Sequence, residues 1–285
     1  MEPELICDYR CEIGENPLWH PFEKRLYWCD IATGRMFRYD PASGKHEQFY
    51  QGDAVGGFTI QADGSLLLFM AKGAVKIWRE SGMTTVIEEI PDERETRFND
   101  VIADPAGRVF CGMMPTEKRL GRLYRLERSG EIKLLLEGLS CPNGMGFSLD
   151  RTQMYFTDSR VYKIYRFDYD EQTGQISHQQ VFATFTEKDG FPDGMTVDSE
   201  GYIWTALWDG SAIARLTPDG KEVRRIAIPA RKSSSLIFGG EDLSDIYVTT
   251  AGGERKATDG AAAGALFRLR LGVRGVPEFF SRIEV

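Results

Sequence analysis

A short apolar strand returns six times along this chain. It reads Arg25-Leu26-Tyr27-Trp28, Ser65-Leu66-Leu67-Leu68-Phe69 and Arg108-Val109-Phe110, then Gln153-Met154-Tyr155-Phe156, Gly201-Tyr202-Ile203-Trp204 and Asp245-Ile246-Tyr247-Val248. Successive copies lie about 40 to 48 residues apart, the length of one four-stranded propeller blade. A second strand follows each copy, and in most repeats it runs into a tight turn. Arg35-Met36-Phe37-Arg38-Tyr39 leads to Ser43-Gly44, Arg122-Leu123-Tyr124-Arg125-Leu126 to Ser129-Gly130, Lys163-Ile164-Tyr165-Arg166-Phe167 to Thr173-Gly174, and Ala212-Ile213-Ala214-Arg215-Leu216 to Asp219-Gly220. Glycine supplies the positive φ that such hairpins need. Ala74-Val75-Lys76-Ile77-Trp78 and Ala265-Leu266-Phe267-Arg268-Leu269 complete the set. No long segment carries helical periodicity. The reading is an all-β, six-bladed propeller of four-stranded antiparallel blades, one domain over residues 1–285, with Glu4 to Tyr9 closing the ring against the last blade.

About 10 to 12 residues before each apolar strand, the innermost strand of its blade should begin. The residues at that phase are Glu15, Gly56-Gly57, Asn99, Asn143, Asp193 and Ser233-Ser234-Ser235. Four repeats therefore place a carboxylate or an amide at one level around one axis. Such hard oxygen donors suit Ca²⁺, Mg²⁺ or Mn²⁺, with Zn²⁺ also possible. Two carboxylates in a confined channel repel each other unless a cation lies between them. The simpler reading is that Asn and Asp before Gly are turn residues. Four in phase within a six-fold repeat favour a metal site, and the absence of histidine at this phase disfavours a His-rich zinc or haem site.

Charge and cysteine usage narrow the partners. A net charge of -8 argues against nucleic acid or an anionic membrane surface. No stretch reaches the ~18 apolar residues of a membrane span, and the acidic start Met1-Glu2-Pro3-Glu4 lacks the basic region of a signal peptide. A cytoplasmic protein with no obligate protein partner is expected. None of Cys7, Cys11, Cys29, Cys111 and Cys141 forms a C-x-x-C pair, so neither a disulfide framework nor a thiolate zinc site is indicated.

With these residues in place, the chain resembles the family of senescence marker protein (regucalcin), gluconolactonase and luciferin-regenerating enzyme. The resemblance runs over essentially the whole chain. It is carried by Gly14-Glu15-Asn16-Pro17-Leu18-Trp19, Arg97-Phe98-Asn99-Asp100, Asp104-Pro105-Ala106-Gly107-Arg108, Pro142-Asn143-Gly144 and Pro192-Asp193-Gly194-Met195. It implies one divalent ion, Ca²⁺, Zn²⁺, Mn²⁺, Mg²⁺ or Fe²⁺, held by Glu15, Asn143 and Asp193, with Arg97 and Asn99 contacting substrate. A sugar-contacting glutamate of some members is best matched by Glu117, although Met114-Pro115-Thr116 before it departs from the pattern.

The implied chemistry is the opening of small sugar lactones, such as gluconolactone or a pentonolactone, to aldonic acids. The ion acts as Lewis acid on the lactone carbonyl. The attacking water comes either from the ion or through activation by Asp193, which makes Asp193 the candidate catalytic residue. Two competing readings are a metal-dependent esterase or phosphotriesterase and a non-catalytic calcium-binding propeller. A strictosidine-synthase-like condensing enzyme is a third, but no strong candidate for its catalytic Glu is present. Other side chains are expected to be structural: His20 in a loop, His46 and His178 on outer hairpins, Cys141 as a packing residue, and Arg224-Arg225 and Arg231-Lys232 as solvated charges. Asp158 and Asp209, each after a blade's second strand, can instead point toward the pocket mouth.

Overall fold

The six apolar strands are the second strands of six four-stranded antiparallel sheets in the computed structural model, which describes residues 2–284. The first blade comprises Gly14–His20, Arg25–Asp30, Arg35–Asp40 and Lys45–Gln51; the third begins at Phe98–Ala103, the fourth at Pro142–Phe147 and the fifth at Phe191–Val197. The second and sixth begin at Val55–Ile60 and Lys232–Gly239. The protein is thus a six-bladed β-propeller, and the expected inner strands are its inner strands, packed side by side around the axis. Closure is as expected: Glu4–Cys7 pairs antiparallel with Leu266–Arg270 as the outer strand of blade six. Tyr9 then stacks on Phe37 of blade one at 4.2 Å, so both neighbours grip the closing segment.

Alternation along each strand sends apolar side chains to both faces of a blade, so the core is six layers, one at each blade junction. Phe69 meets Phe98 edge-on at 5.2 Å between blades two and three. Trp204 meets Phe238 at 6.3 Å between five and six, and Trp19 stacks on Tyr247 where six meets one. A fully buried aromatic of this kind contributes about 2–3 kcal/mol by area. Beyond the last strand the chain crosses the face opposite the site. Asp198 of blade five bridges Gly275, Gln61 of blade two bridges Ser281, and Glu284 N–H donates to the Arg128 carbonyl of blade three.

Every inner strand carries a register shift at the phase singled out above: Glu15/Leu18, Val55/Gly57, Phe98/Val101, Pro142/Met145, Pro192/Met195 and Ser233/Ser235. A bulge re-aims a side chain that would otherwise face a neighbouring blade, and here it turns the site residues to the axis.

Blade six departs from the simple repeat. Between Asp245–Ala251 and Leu266–Arg270 it inserts a 3-10 turn, Gly253–Arg255, and a short helix, Lys256–Asp259. This insertion corrects the expectation for Lys232. Its ammonium is buried and lies 2.5 Å from the buried Asp259 carboxylate, so it is no solvated charge. Among the described residues no helix is long and apolar enough to cross a membrane.

Candidate active site

The bulges bring Glu15, Asn99, Asn143 and Asp193 to one mouth of the axis, at 8, 8, 6 and 4% exposure. With Arg97 they line one cavity of about 390 Å³, enough for a small sugar. Blades two and six contribute small residues at the same phase instead. A Cβ on Gly56 would lie 2.0 Å from the Phe98 carbonyl oxygen, while Ser234 Oγ donates to the Gly14 carbonyl at 2.5 Å. Two of six blades thus serve close packing, and the donors come from the rest.

The glycines after the ligand candidates settle the turn question. Asn143-Gly144 and Asp193-Gly194 lie within strands. A Cβ on Gly144 would meet the Asp193 carbonyl oxygen at 2.4 Å, and one on Gly194 would meet Ser235 Oγ at 2.1 Å. Glycine is needed there because adjacent inner strands approach closely.

Each side chain is held by specific partners. Asn99 Nδ2 donates to the Pro142 carbonyl at 2.8 Å and to Asn143 Oδ1 at 3.2 Å. Asn99 Oδ1 accepts from Arg97 Nη1 at 2.8 Å, and Asn143 Nδ2 donates to Ser159 Oγ at 3.0 Å. These bonds fix the Asn143 amide, with Nδ2 toward Ser159 and Oδ1 toward Asn99. Glu15 Oε2 accepts from the Asn16 N–H at 3.0 Å. Asp193 receives no hydrogen bond from any described residue, and its Oδ1 is fully buried without a partner.

That orphaned oxygen is costly. Burial and then repulsion from Glu15 and Asp100 hold the Asp193 carboxyl well above the usual carboxylate range. Burial, reinforced by Asp100, pushes Glu15 up to about 8. Burial raises Asp100 to about 6. Arg97 offsets little of this, and burial also lowers its own pKa. Two buried carboxylates lining one cavity with the Asn143 amide form a hard-oxygen donor set suited to a divalent cation. The residues present fit such an ion. Among the described residues no cluster of three or more His, Cys, Asp and Glu side chains has metal-binding geometry, so a cation held here would draw on an amide as well.

Of the expected site residues, five converge and one does not. Glu117 is exposed on the loop after Val109–Met113 and does not line the cavity. Met114 from the same loop does, with Ile13, Phe191 and Trp208 forming the remaining apolar wall. Asp158 is buried rather than at the mouth. Its carboxylate accepts from the Ser140 and Cys141 N–H groups at 3.0 and 2.8 Å, fixing the chain just before Asn143. Cys141 lines the wall, but burial pushes its thiol up to about 12, which leaves it unreactive. His20 is structural, bonded to the Gly64 carbonyl at 2.9 Å; His46 and His178 are exposed on outer strands. Two residues were not singled out from the sequence. Asp100 was legible as a carboxylate beside Asn99; Arg160, on a connecting turn, carried no signal.

A six-bladed propeller that gathers two carboxylates and two amides at one end of its axis, under a single sugar-sized cavity, is the class of protein this fold and site define. The chain belongs to the SMP-30/gluconolactonase/LRE-like family, whose model matches residues 13–252. A pentonolactonase, XacC, from Haloferax volcanii is 47% identical over 294 aligned positions that cover 100% of both chains. Regucalcin of Gallus gallus is 33% identical over 97% of each chain. The crystal structure of a calcium-binding protein, regucalcin, from Agrobacterium tumefaciens superposes with a TM-score of 0.90 at 25% identity, covering 99% of this chain and 97% of its own.

Proposed function

We propose that this protein is a divalent-metal-dependent lactonase that opens sugar lactones, five-carbon ones foremost, to aldonic acids. The observation that carries the metal dependence is the buried, unpartnered Asp193 Oδ1 beside Glu15. The full-length likeness to a pentonolactonase supports the substrate class, and the calcium-binding regucalcin structure supports the cofactor.

Glu15, Asn143 and Asp193 would hold the ion, which when bound supplies Lewis-acid polarisation of the lactone carbonyl. Asp193 takes the proton of the attacking water at a carboxylate oxygen. The new C–O bond forms as the ring C–O bond breaks, and the ring oxygen leaves as a hydroxyl carrying that proton. Arg97 spends Nη1 on the Phe98 carbonyl and Asn99. Its remaining N–H groups have no hydrogen-bond partner among the described residues, and they are placed to bind substrate hydroxyls or the carboxylate formed on opening. Asn99, bound on both sides, positions Asn143 and Arg97. The apolar wall of Phe191, Trp208 and Met114 covers the sugar's carbon face and limits access of bulk water.

Proton release should be followed over a panel of aldono-1,4- and 1,5-lactones, aryl esters and phosphotriesters, with spontaneous opening subtracted. Turnover confined to sugar lactones is expected. Preference for aryl esters or phosphotriesters would replace this reading with the broader hydrolase one.

A further inference from the structure

We propose that Arg160 is a specificity-determining residue that binds the hydroxyl-bearing end of the lactone away from its carbonyl. The inference rests on the lactonase reading. Arg160 lines the cavity and is itself exposed, whereas the ligand candidates are buried at the cavity floor. A lactone with its carbonyl at that floor presents its opposite end to the rim where Arg160 stands.

The turn that carries it is rigid. Ser159 N–H donates to the Cys141 carbonyl at 3.0 Å, and Ser159 Oγ accepts from Asn143. On the other side Tyr162, at φ 58, closes the turn and stacks on Phe191 at 4.6 Å. The backbone of Arg160 is therefore held in place beside the site, one residue beyond a group that touches a ligand candidate.

Blade one supplies an internal comparison. There the same turn, Ile31–Thr33, follows the buried Asp30 just as Ser159–Val161 follows Asp158. Arg35 pairs with Asp30 at 2.7 Å, and the position matching Arg160 is Ala32. The fold thus builds this turn without an arginine at that position. In blade four the guanidinium makes neither an ion pair nor a hydrogen bond among the described residues, so the architecture does not account for it. A guanidinium offers several donors in a fixed fork, suited to the hydroxyl that ends the lactone's side arm.

The test compares a pentono-1,4-lactone with its 5-deoxy analogue on metal-loaded wild type, Arg160→Met and Arg160→Lys. A hydrogen bond to a charged donor supports roughly tenfold discrimination or more. Wild type should prefer the hydroxylated lactone by about that factor, with the difference in KM. Arg160→Met should bring the preference close to one by raising KM for the hydroxylated lactone, and Arg160→Lys should restore part of it. A wild type without the preference, or an Arg160→Met variant that keeps it, overturns the inference while the lactonase reading stands. A loss of kcat with unchanged preference also overturns it, since that marks a merely structural residue. A wild type that opens neither these lactones nor any other in the aldono-1,4- and 1,5-lactone panel removes the lactonase reading and this inference with it; one that opens only other lactones of the panel overturns this inference alone.

Discussion

Replacing Gly144 by alanine tests whether the site is built by close approach of neighbouring inner strands. The added Cβ would lie 2.4 Å from the Asp193 carbonyl oxygen and 2.6 Å from the Met195 nitrogen, where ordinary contact begins near 3.4 Å. Both obstacles are backbone, so no rotamer change relieves them. The strands carrying Asn143 and Asp193 must part by about 1 Å, and a packed core resists that. Overpacking of this kind costs about 1–3 kcal/mol, which in a domain of this size lowers Tm by roughly 2–4 °C per kcal/mol. The larger effect falls on the ion, because metal sites tolerate only ~0.2 Å in ligand distance. Affinity for a divalent cation should fall at least tenfold, and turnover with it. Gly44→Ala is the control: Gly44 sits at φ +70 with nothing within 4 Å of its Cβ position. That change carries a backbone penalty of about 1 kcal/mol and should leave metal affinity alone. Calorimetric titration and thermal melts of both variants give the comparison. Wild-type metal affinity in Gly144→Ala would refute the reasoning.

Further outcomes follow from the same contacts. Asp193→Ala should abolish turnover, by a factor of about 10³ or more, whereas full activity in that variant would remove Asp193 from the mechanism. The chelated protein should lose stability as pH rises. Glu15 is lifted to about 8 by burial and Asp100, so the folded state holds its proton more tightly than the unfolded chain. That stabilisation is complete below the ordinary carboxylate range and is lost as pH climbs through about 8. A divalent ion should flatten the slope in thermal melts from pH 5 to 9, and a chelated Tm that rises over this range would contradict the burial argument. Lys232→Met should cost about 3 kcal/mol, because the buried Asp259 is then left with only the more exposed Arg255, at 3.5 Å, as its charged partner; a melt within ~1 °C of wild type would show the pair to be dispensable.

The six-fold architecture was legible because a propeller repeats at a fixed period, and strand signals in phase reinforce one another. Glu15, Asn99, Asn143 and Asp193 were legible for the same reason: polar residues at one phase of six repeats share a level on the axis. What aims them was not legible. A bulge leaves no residue-type signature in Glu15-Asn16-Pro17 or Asn143-Gly144-Met145, and the glycines read equally well as turn formers. Glu117 was placed by resemblance on a loop whose departure from the family pattern leaves it exposed. Lys232 looked solvated because its partner Asp259 lies in an insertion that breaks the repeat. Arg160 was silent because a connecting turn has no periodicity, and its meaning emerges only beside Ala32 in the equivalent turn.

The most direct test removes the metal and returns it. Chelated wild type should open a pentonolactone no faster than the spontaneous rate, and one equivalent of a divalent ion should restore turnover. Glu15→Gln and Asn143→Ala should bind that ion at least tenfold more weakly, as read by direct metal analysis. Full turnover in a chelated protein shown to be metal-free would contradict the proposal that the axial oxygen cluster works through a bound cation.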